Sequence, residues 1–411
     1  MRRMLLIALC ILGFGYLPVA MGNERYDELM RQGAEYKQKG DWANLEATMK
    51  EALQIDDSDE YVGRTYSWAQ MQQCKIQEAI TSAQENVRRH PCGWSYEQLA
   101  EAYWANGDLS EARDYAVRTL KMEREKETGA NGAVKATYDR LAKKHFHLEF
   151  TIDPQKTWPK GGEIAIGVPT LSGDHQAGTY KLVGVGSYSE FHDPGGNLLL
   201  KVSPKGKEKF QLVVELIVVP QSMKRRFAAR KDVPLPGDLG VYLGPATMWG
   251  NKDCIDPASH LLQDTISPLK SSDDIQTVRN IVKWGSRIRY GEIPYKTVDE
   301  VILQGHGHCD ATASLMTGLC RAAGIPARNL RVFGAPAAQE SGVLAMHSMC
   351  EVYIKGVGWC AVDLGLPASL GRLDSNQFRM FHYAFEGADG RLFNLGSLDP
   401  PDTSFTMHYE D

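Results

Sequence analysis

The sequence predicts a multidomain chain in which α-helical repeats precede a β-sandwich, and the β-sandwich precedes an α+β domain. Three observations lead to this order. A helical pattern recurs about every 34 residues over residues 25–125, a two-residue alternation runs through 145–222, and a helix and a strand hairpin lie within 255–400. Because the three patterns have different periods, we assign them to separate folding units.

The composition is that of a globular protein, with 43% hydrophobic and 24% charged residues. The chain of 411 residues carries 46 Lys and Arg against 51 Asp and Glu, which gives a net charge of −5. Proteins that bind phosphate backbones carry an excess of basic residues, so we expect no nucleic acid partner.

Residues 1–22 have the three parts of a signal peptide. A basic start is followed by an apolar run over 4–20, which ends in small residues typical of a cleavage site. Pro18 and two glycines make this run a poor membrane span. We therefore expect an exported protein, periplasmic or secreted, with no membrane span after cleavage; an uncleaved anchor is the alternative.

Cleavage would leave seven cysteines, an odd number that leaves at least one thiol unpaired within the chain. Cys74 and Cys92 are separated by a predicted helix about 20 Å long, so we expect no disulfide between them. The spacing of the seven matches no CxxC zinc site. The unpaired thiol is a candidate reactive group, and the seven cysteines are Cys74, Cys92, Cys254, Cys309, Cys320, Cys350 and Cys360.

Three matching turns predict the repeats of residues 25–125. Gly40 and Gly107 begin equivalent turns, and Cys74 falls midway between them. Apolar residues at i, i+4 and i+7 or i+8 follow each turn, which predicts one buried face of a helix. These units resemble tetratricopeptide repeats, whose concave face can bind a protein partner. The alternative is an irregular bundle that only packs against the rest of the chain.

Residues 145–222 show the alternation of half-buried strands. The segments 147–152 and 210–219 show it most clearly, and 193–197 supplies a turn rich in Gly, Pro and Asp. Five or more short strands of this kind predict a β-sandwich.

A cysteine lies at a predicted helix start in the last domain, 255–400. Glycines and histidines precede Cys309, and the apolar helical pattern that follows it ends at Gly324 and Pro326. Unpaired N–H groups at the first turn of a helix favour a thiolate over a thiol. Cys309 is therefore placed where a thiol nucleophile would be activated.

Two strands follow at 347–354 and 359–363, joined by a tight turn. This hairpin places His347 and Asp363 as diagonal neighbours on one face, about 7–8 Å apart at the backbone. Asp363 can then accept a hydrogen bond from one imidazole nitrogen while the other nitrogen faces Cys309. A nucleophile, a base and a group that orients the base form the general arrangement of an activated nucleophile.

The motifs within 270–370 resemble the transglutaminase-like superfamily, which has a papain-like fold. G-x-C-x-x-x-A matches 307–313, R-A-A-G-I-P-A-R matches 321–328, and a His followed by E-V-Y and G-V-G-W-x-x-V-D matches 347–363. The resemblance implies that Cys309, His347 and Asp363 are the catalytic residues. One departure is Met349, where family members commonly carry a tryptophan in the wall of the pocket.

The resemblance implies a thiol acyl-transfer enzyme that acts on amide or peptide carbonyls of protein or peptide substrates. Water as acceptor gives a cysteine hydrolase (a peptidase), and an amine gives a transglutaminase. Two alternatives are a non-catalytic scaffold that binds proteins through its repeats and a metal-dependent hydrolase that uses His306 and His308. Because H-x-H-C-D lacks a distant second ligand pair, we expect no metal and no cofactor.

Four other residues in or next to these motifs are less specific indicators of function. Arg321 and Arg328 could bind a carboxylate, but on a helix and a strand we expect them to form ion pairs at the surface. Cys320 and Cys360 lie on apolar faces and are expected in the core.

Overall fold

The computed structural model describes residues 24–126, 137–154, 164–192, 197–248, 251–291, 297–334, 345–366, 368–375, 377–383, 392–393 and 403–410. It contains helical repeats, a strand-rich middle region and a C-terminal α+β domain, which confirms the predicted fold class. The predicted signal peptide lies outside the described residues. Across the described ranges, no helix combines the length and the apolar character needed to cross a bilayer.

Six helices form the repeat segment: α1 Glu24–Lys39, α2 Trp42–Ile55, α3 Glu60–Gln72, α4 Ile76–Arg89, α5 Gly93–Ala105 and α6 Leu109–Lys126. The turns of α1–α2, α3–α4 and α5–α6 each contain one residue in the left-handed conformation. These residues are Gly40 (φ 69°), Cys74 (φ 58°) and Gly107 (φ 77°), respectively. Glycine adopts this conformation without strain, whereas a side chain at Cys74 makes the same turn costly. Cys74 and Cys92 are both free thiols.

After the repeats, the described chain forms mainly strands and then a mixture of helices and strands. The sandwich region contains β1 Lys143–Ile152, β2 Ile164–Gly167, β3 Gln176–Val183, β4 Val185–His192, β5 Leu198–Pro204 and β6 Phe210–Val218. A connector contains β7 Gln221–Ser222, α7 Lys224–Ala229, β8 Ala246–Met248 and β9 Asn251–Ile255. The α+β domain contains α8 His260–Ile266, α9 Asp274–Gly285, β10 Arg289–Tyr290, α10 Val298–Gln304, β11 His306–Gly307, α11 Cys309–Ala322, β12 Ala327–Gly334, β13 Ala345–Ile354, β14 Gly358–Val362, β15 Arg372–Leu373 and β16 Gln377–Tyr383. The chain ends with β17 Leu392–Phe393 and β18 Thr403–Glu410.

Two four-stranded sheets make up the sandwich, in the orders β18-β1-β6-β3 and β17-β2-β5-β4. Every second residue of β1 is buried, so that Phe146, Leu148 and Phe150 point into the core between the sheets. The last strand in the described residues returns here, since β18 pairs antiparallel with β1 over its full length. No local pattern in the sequence predicts this return.

The α+β domain is built on the sheet β14-β13-β12-β16, with α11 packed against one face. The buried core joins apolar residues of α11 to the facing side of β13 and β14. Cys320 and Cys360 are both fully buried in this core, which confirms their predicted place. The packing fixes the first turn of α11 beside the start of β13.

Candidate active site

Helix α11 begins at Cys309, as the sequence predicts. His308 caps this helix, because its Nδ1 accepts a hydrogen bond from the backbone N–H of Asp310 at 3.1 Å. Cys309 is thereby the first residue of the helix, where backbone N–H groups have no acceptor within the helix. The thiol lies at the positive end of the helix dipole, which favours its anion.

The hairpin of β13 and β14 brings His347 and Asp363 together. Its register pairs Cys350 with Val362 and Ile354 with Gly358, which leaves a three-residue turn. The two side chains are therefore diagonal neighbours, and His347 Nε2 lies 2.7 Å from Asp363 Oδ2.

Asp363 is held rigidly on the far side of the imidazole. Its Oδ1 accepts a hydrogen bond from the backbone N–H of Gly365 at 2.9 Å. The Ser369 hydroxyl accepts from the Asp363 N–H at 3.0 Å and donates to the Asp363 carbonyl at 2.6 Å. Only 7% of the Asp363 side chain is exposed, so its charge is poorly screened by water.

The third predicted residue meets the same imidazole, because Cys309 is hydrogen-bonded to His347. Burial raises the pKa of the Cys309 thiol, but hydrogen bonds from His347 and from the backbone N–H of Ser348 outweigh it, so the pKa lies below its ordinary value. Burial alone would lower the pKa of His347, yet Asp363 and Cys309 raise it to about 10. Both shifts favour a thiolate–imidazolium pair at neutral pH.

Arg321 and Arg328 are buried, so the prediction that they form surface pairs is wrong. Arg321 donates to the carbonyl oxygens of Ala327 at 2.9 Å and Gly244 at 2.6 Å. Arg328 lies 2.9 Å from the fully buried carboxylate of Glu351. Gly244 and Glu351 lie outside the motif that contains the two arginines, so the motif alone does not reveal these two partners.

His306 and His308 each make a hydrogen bond to the backbone through Nδ1. His306 donates from Nδ1 to the carbonyl of Gln304 at 2.7 Å, while His308 Nδ1 caps α11. In the part of the chain that the structure describes, the grouping with metal-ligand spacing is His308, Cys309 and Asp310, with their ligand atoms within 4.8 Å of one another. This grouping omits His306 and includes the thiol itself.

A cleft of about 620 Å³ separates the repeats from the α+β domain. One wall is aromatic and comes from α3 and α5, with Trp68, Trp94 and Trp104. The opposite wall includes Met349 and Leu366, which lie two residues from His347 and three residues from Asp363 respectively. The residue that departs from the family pattern thus lines this cleft, whereas Cys309, His347 and Asp363 are not among its lining residues.

Comparison with known proteins finds a family match in the C-terminal domain. The family model described as the transglutaminase-like superfamily matches residues 263–364. No curated protein matches the chain. Among solved structures, a "putative cysteine protease" from Cytophaga hutchinsonii is 19% identical, covers 66% of this chain and 89% of its own, and has a TM-score of 0.41.

The repeats are similar to shorter solved structures. The TPR2B domain of yeast Sti1, in a complex with pHsp70, is 20% identical, covers 28% of this chain and 93% of its own, and has a TM-score of 0.26. The type III secretion translocator chaperone SycD from Yersinia enterocolitica is 14% identical, covers 29% of this chain and 92% of its own, and has a TM-score of 0.27. In this chain, the helical repeats precede a domain that matches the transglutaminase-like superfamily at residues 263–364.

Proposed function

We propose that this protein is a thiol acyl-transfer enzyme that attacks amide or peptide carbonyls through Cys309, His347 and Asp363. One observation carries the proposal: a single imidazole is hydrogen-bonded both to a thiol at a helix N-terminus and to a buried carboxylate. This geometry supports the proposal that Cys309 is the nucleophile, His347 its base and Asp363 the group that orients the base.

In the first half of the reaction, the Cys309 thiolate attacks the carbonyl carbon and forms a tetrahedral intermediate. The C–N bond then breaks, and the imidazolium of His347 gives its proton to the leaving amine. An acyl-thioester on Cys309 remains. The backbone N–H of Cys309, which has no acceptor within the helix, is a candidate donor for the developing oxyanion.

In the second half, an acceptor attacks the thioester while His347 takes its proton. The C–S bond breaks, which regenerates the thiolate and the imidazolium. Water as acceptor gives hydrolysis, and an amine gives a transglutaminase product. We favour hydrolysis by a cysteine peptidase, because water is always present and no amine site is evident in the sequence.

The substrate that fits best is a protein or peptide, and the aromatic cleft is the surface that would hold it. Its volume of about 620 Å³ suits a segment of chain, and its walls combine indole rings with charged groups. The Arg64 guanidinium lies 4.6 Å from the Trp94 ring centroid, so a cation and an aromatic ring are side by side in this wall. If the cleft holds the substrate, Trp94→Ala raises KM for a polypeptide and leaves alkylation of Cys309 by iodoacetamide unchanged.

We also propose that the enzyme is exported, periplasmic or secreted. The support is the signal-peptide pattern of residues 1–22. Mass spectrometry of the mature protein tests this directly, since an N-terminus at Met1 would contradict cleavage.

Alkylation of Cys309 is the experiment that tests the catalytic proposal. Substoichiometric iodoacetamide at pH 6, followed by peptide mapping, should label Cys309 first in the wild type. His347→Ala removes the imidazolium that stabilises the thiolate, so this labelling should slow sharply. If Cys309 reacts no faster than the buried Cys350 and the substitution changes nothing, a non-catalytic protein-binding scaffold becomes the better explanation.

A further inference from the structure

A second connection joins α11 to β13, one residue along from the thiol and the imidazole. Ser348, next to His347, donates from its hydroxyl to Asp310 Oδ1, next to Cys309. The backbone N–H of Ser348 donates to the Cys309 sulfur. Arg331 lies opposite Ser348 across β12 and β13, and its Nη1 is 3.2 Å from the same Asp310 oxygen.

These contacts are shielded from solvent. Ser348 and Arg331 are each 2% exposed, and the side chain of Asp310 is 19% exposed. Hydrogen bonds and ion pairs in such surroundings are stronger than at the surface, and loss of one partner leaves a buried polar group unsatisfied. The spacing between α11 and β13 is therefore fixed at this point.

The charge of Asp310 acts against the chemistry at its neighbour. Burial and the Asp310 carboxylate both raise the pKa of the Cys309 thiol, and the hydrogen bonds from His347 and Ser348 have to outweigh them. A carboxylate with only an electrostatic effect here would reduce the amount of thiolate. Its contacts with Ser348 and Arg331 provide a different reason for its position.

We propose that Asp310 is a positioning residue that clamps Ser348, and with it His347, against the first turn of α11. The inference rests on the proposed function, because it concerns what keeps the thiol and the imidazole in contact. Arg331 completes the clamp by supplying the opposite charge, which reduces the effect of the carboxylate on the sulfur.

The first test is the pH profile of Cys309 alkylation by iodoacetamide in Ser348→Ala. Loss of the hydroxyl loosens the strand from the helix and should raise the apparent pKa of the thiol by about one unit, so that alkylation at pH 6 slows about tenfold. Ser348→Thr keeps a hydroxyl and should restore most of the rate. Ser67→Ala is the matched control, because Ser67 is a fully buried serine of the repeats whose hydroxyl donates to the Ala79 carbonyl at 2.8 Å.

A double variant, Asp310→Ala with Arg331→Leu, separates positioning from charge and avoids an unpaired buried cation. Loss of the anion alone would lower the pKa of Cys309 and speed alkylation at pH 6. Loss of the clamp should instead slow alkylation at pH 6. Faster or unchanged alkylation in both this variant and Ser348→Ala would refute the proposed positioning role of Asp310. A wild-type Cys309 that reacts no faster than free cysteine at pH 6 refutes the proposed function, and the clamp with it, before any variant is compared.

Discussion

Replacement of Asp363 by Asn changes the charge behind His347 with almost no change in shape. The two carboxylate oxygens of Asp363 accept from different donors, His347 Nε2 at 2.7 Å and the backbone N–H of Gly365 at 2.9 Å. Asparagine has a single amide oxygen, so one of these donors loses its acceptor. The imidazolium also loses the negative charge that stabilises it.

The magnitude follows from the kind of bond that is lost. A hydrogen bond to a charged group contributes about 1.5–3 kcal/mol, and each 1.36 kcal/mol is a factor of about ten. The thiolate–imidazolium pair of Cys309 and His347 should therefore fall about 10- to 150-fold in Asp363→Asn. The pKa of His347, which the native contacts raise to about 10, should fall, so the imidazolium is lost at a lower pH than in the wild type.

Stopped-flow alkylation of Cys309 between pH 5 and pH 10 measures both effects. In the wild type, the rate rises as the thiol ionises, and the imidazolium is lost only as the pH passes through about 10. Asp363→Asn should be at least tenfold slower at pH 6. Asp108→Asn removes a carboxylate of the repeats that lies 2.6 Å from Lys224, and this variant should match the wild type. Equal rates for Asp363→Asn and wild type would refute the role of Asp363.

Three further predictions concern stability, measured by thermal and urea unfolding. Gly107→Ala should destabilise the protein by about 2 kcal/mol, because φ is +77° and the added Cβ would lie 2.6 Å from the Ser222 hydroxyl. Arg328→Ala should cost about 3 kcal/mol, because it removes a partner of the fully buried Glu351, and an unchanged midpoint would show the pair to be unimportant. Glu97→Gln should be about 1 kcal/mol more stable than wild type at pH 8 but not at pH 4, after allowance for solvent screening. Burial and a neighbouring carboxylate raise the pKa of Glu97 to about 7, so the folded state holds a proton that the unfolded state releases above pH 4.5, and wild-type stability falls as pH rises through that window.

Features set by short stretches of sequence were predictable. The hairpin of β13 and β14 follows from alternation and a tight turn, and its register brings His347 and Asp363 within hydrogen-bond distance. The start of α11 at Cys309 follows from the glycines before it and the helical pattern after it. The three repeat turns follow from their spacing, although only the structure shows that Cys74 adopts the left-handed conformation of the two glycines.

Features that depend on long-range pairing were not predictable from local pattern. The pairing of β18 with β1 joins residues separated by most of the chain. Arginine side chains are usually exposed, and only the fold shows that Arg328 is buried against Glu351. The contact of Ser348 with Asp310 depends on the packing of α11 against β13, and neither segment alone predicts it.

Direct detection of an acyl group on Cys309 is the most direct test of acyl transfer. We would incubate the protein briefly with p-nitrophenyl acetate, quench it in acid, and map the digested peptides by mass spectrometry. Wild type should carry an acetyl thioester on Cys309, and His347→Ala should carry far less, since the thiolate is no longer stabilised. Acetylation that spreads over other residues, or that is equal in the two proteins, would contradict an activated nucleophile at Cys309.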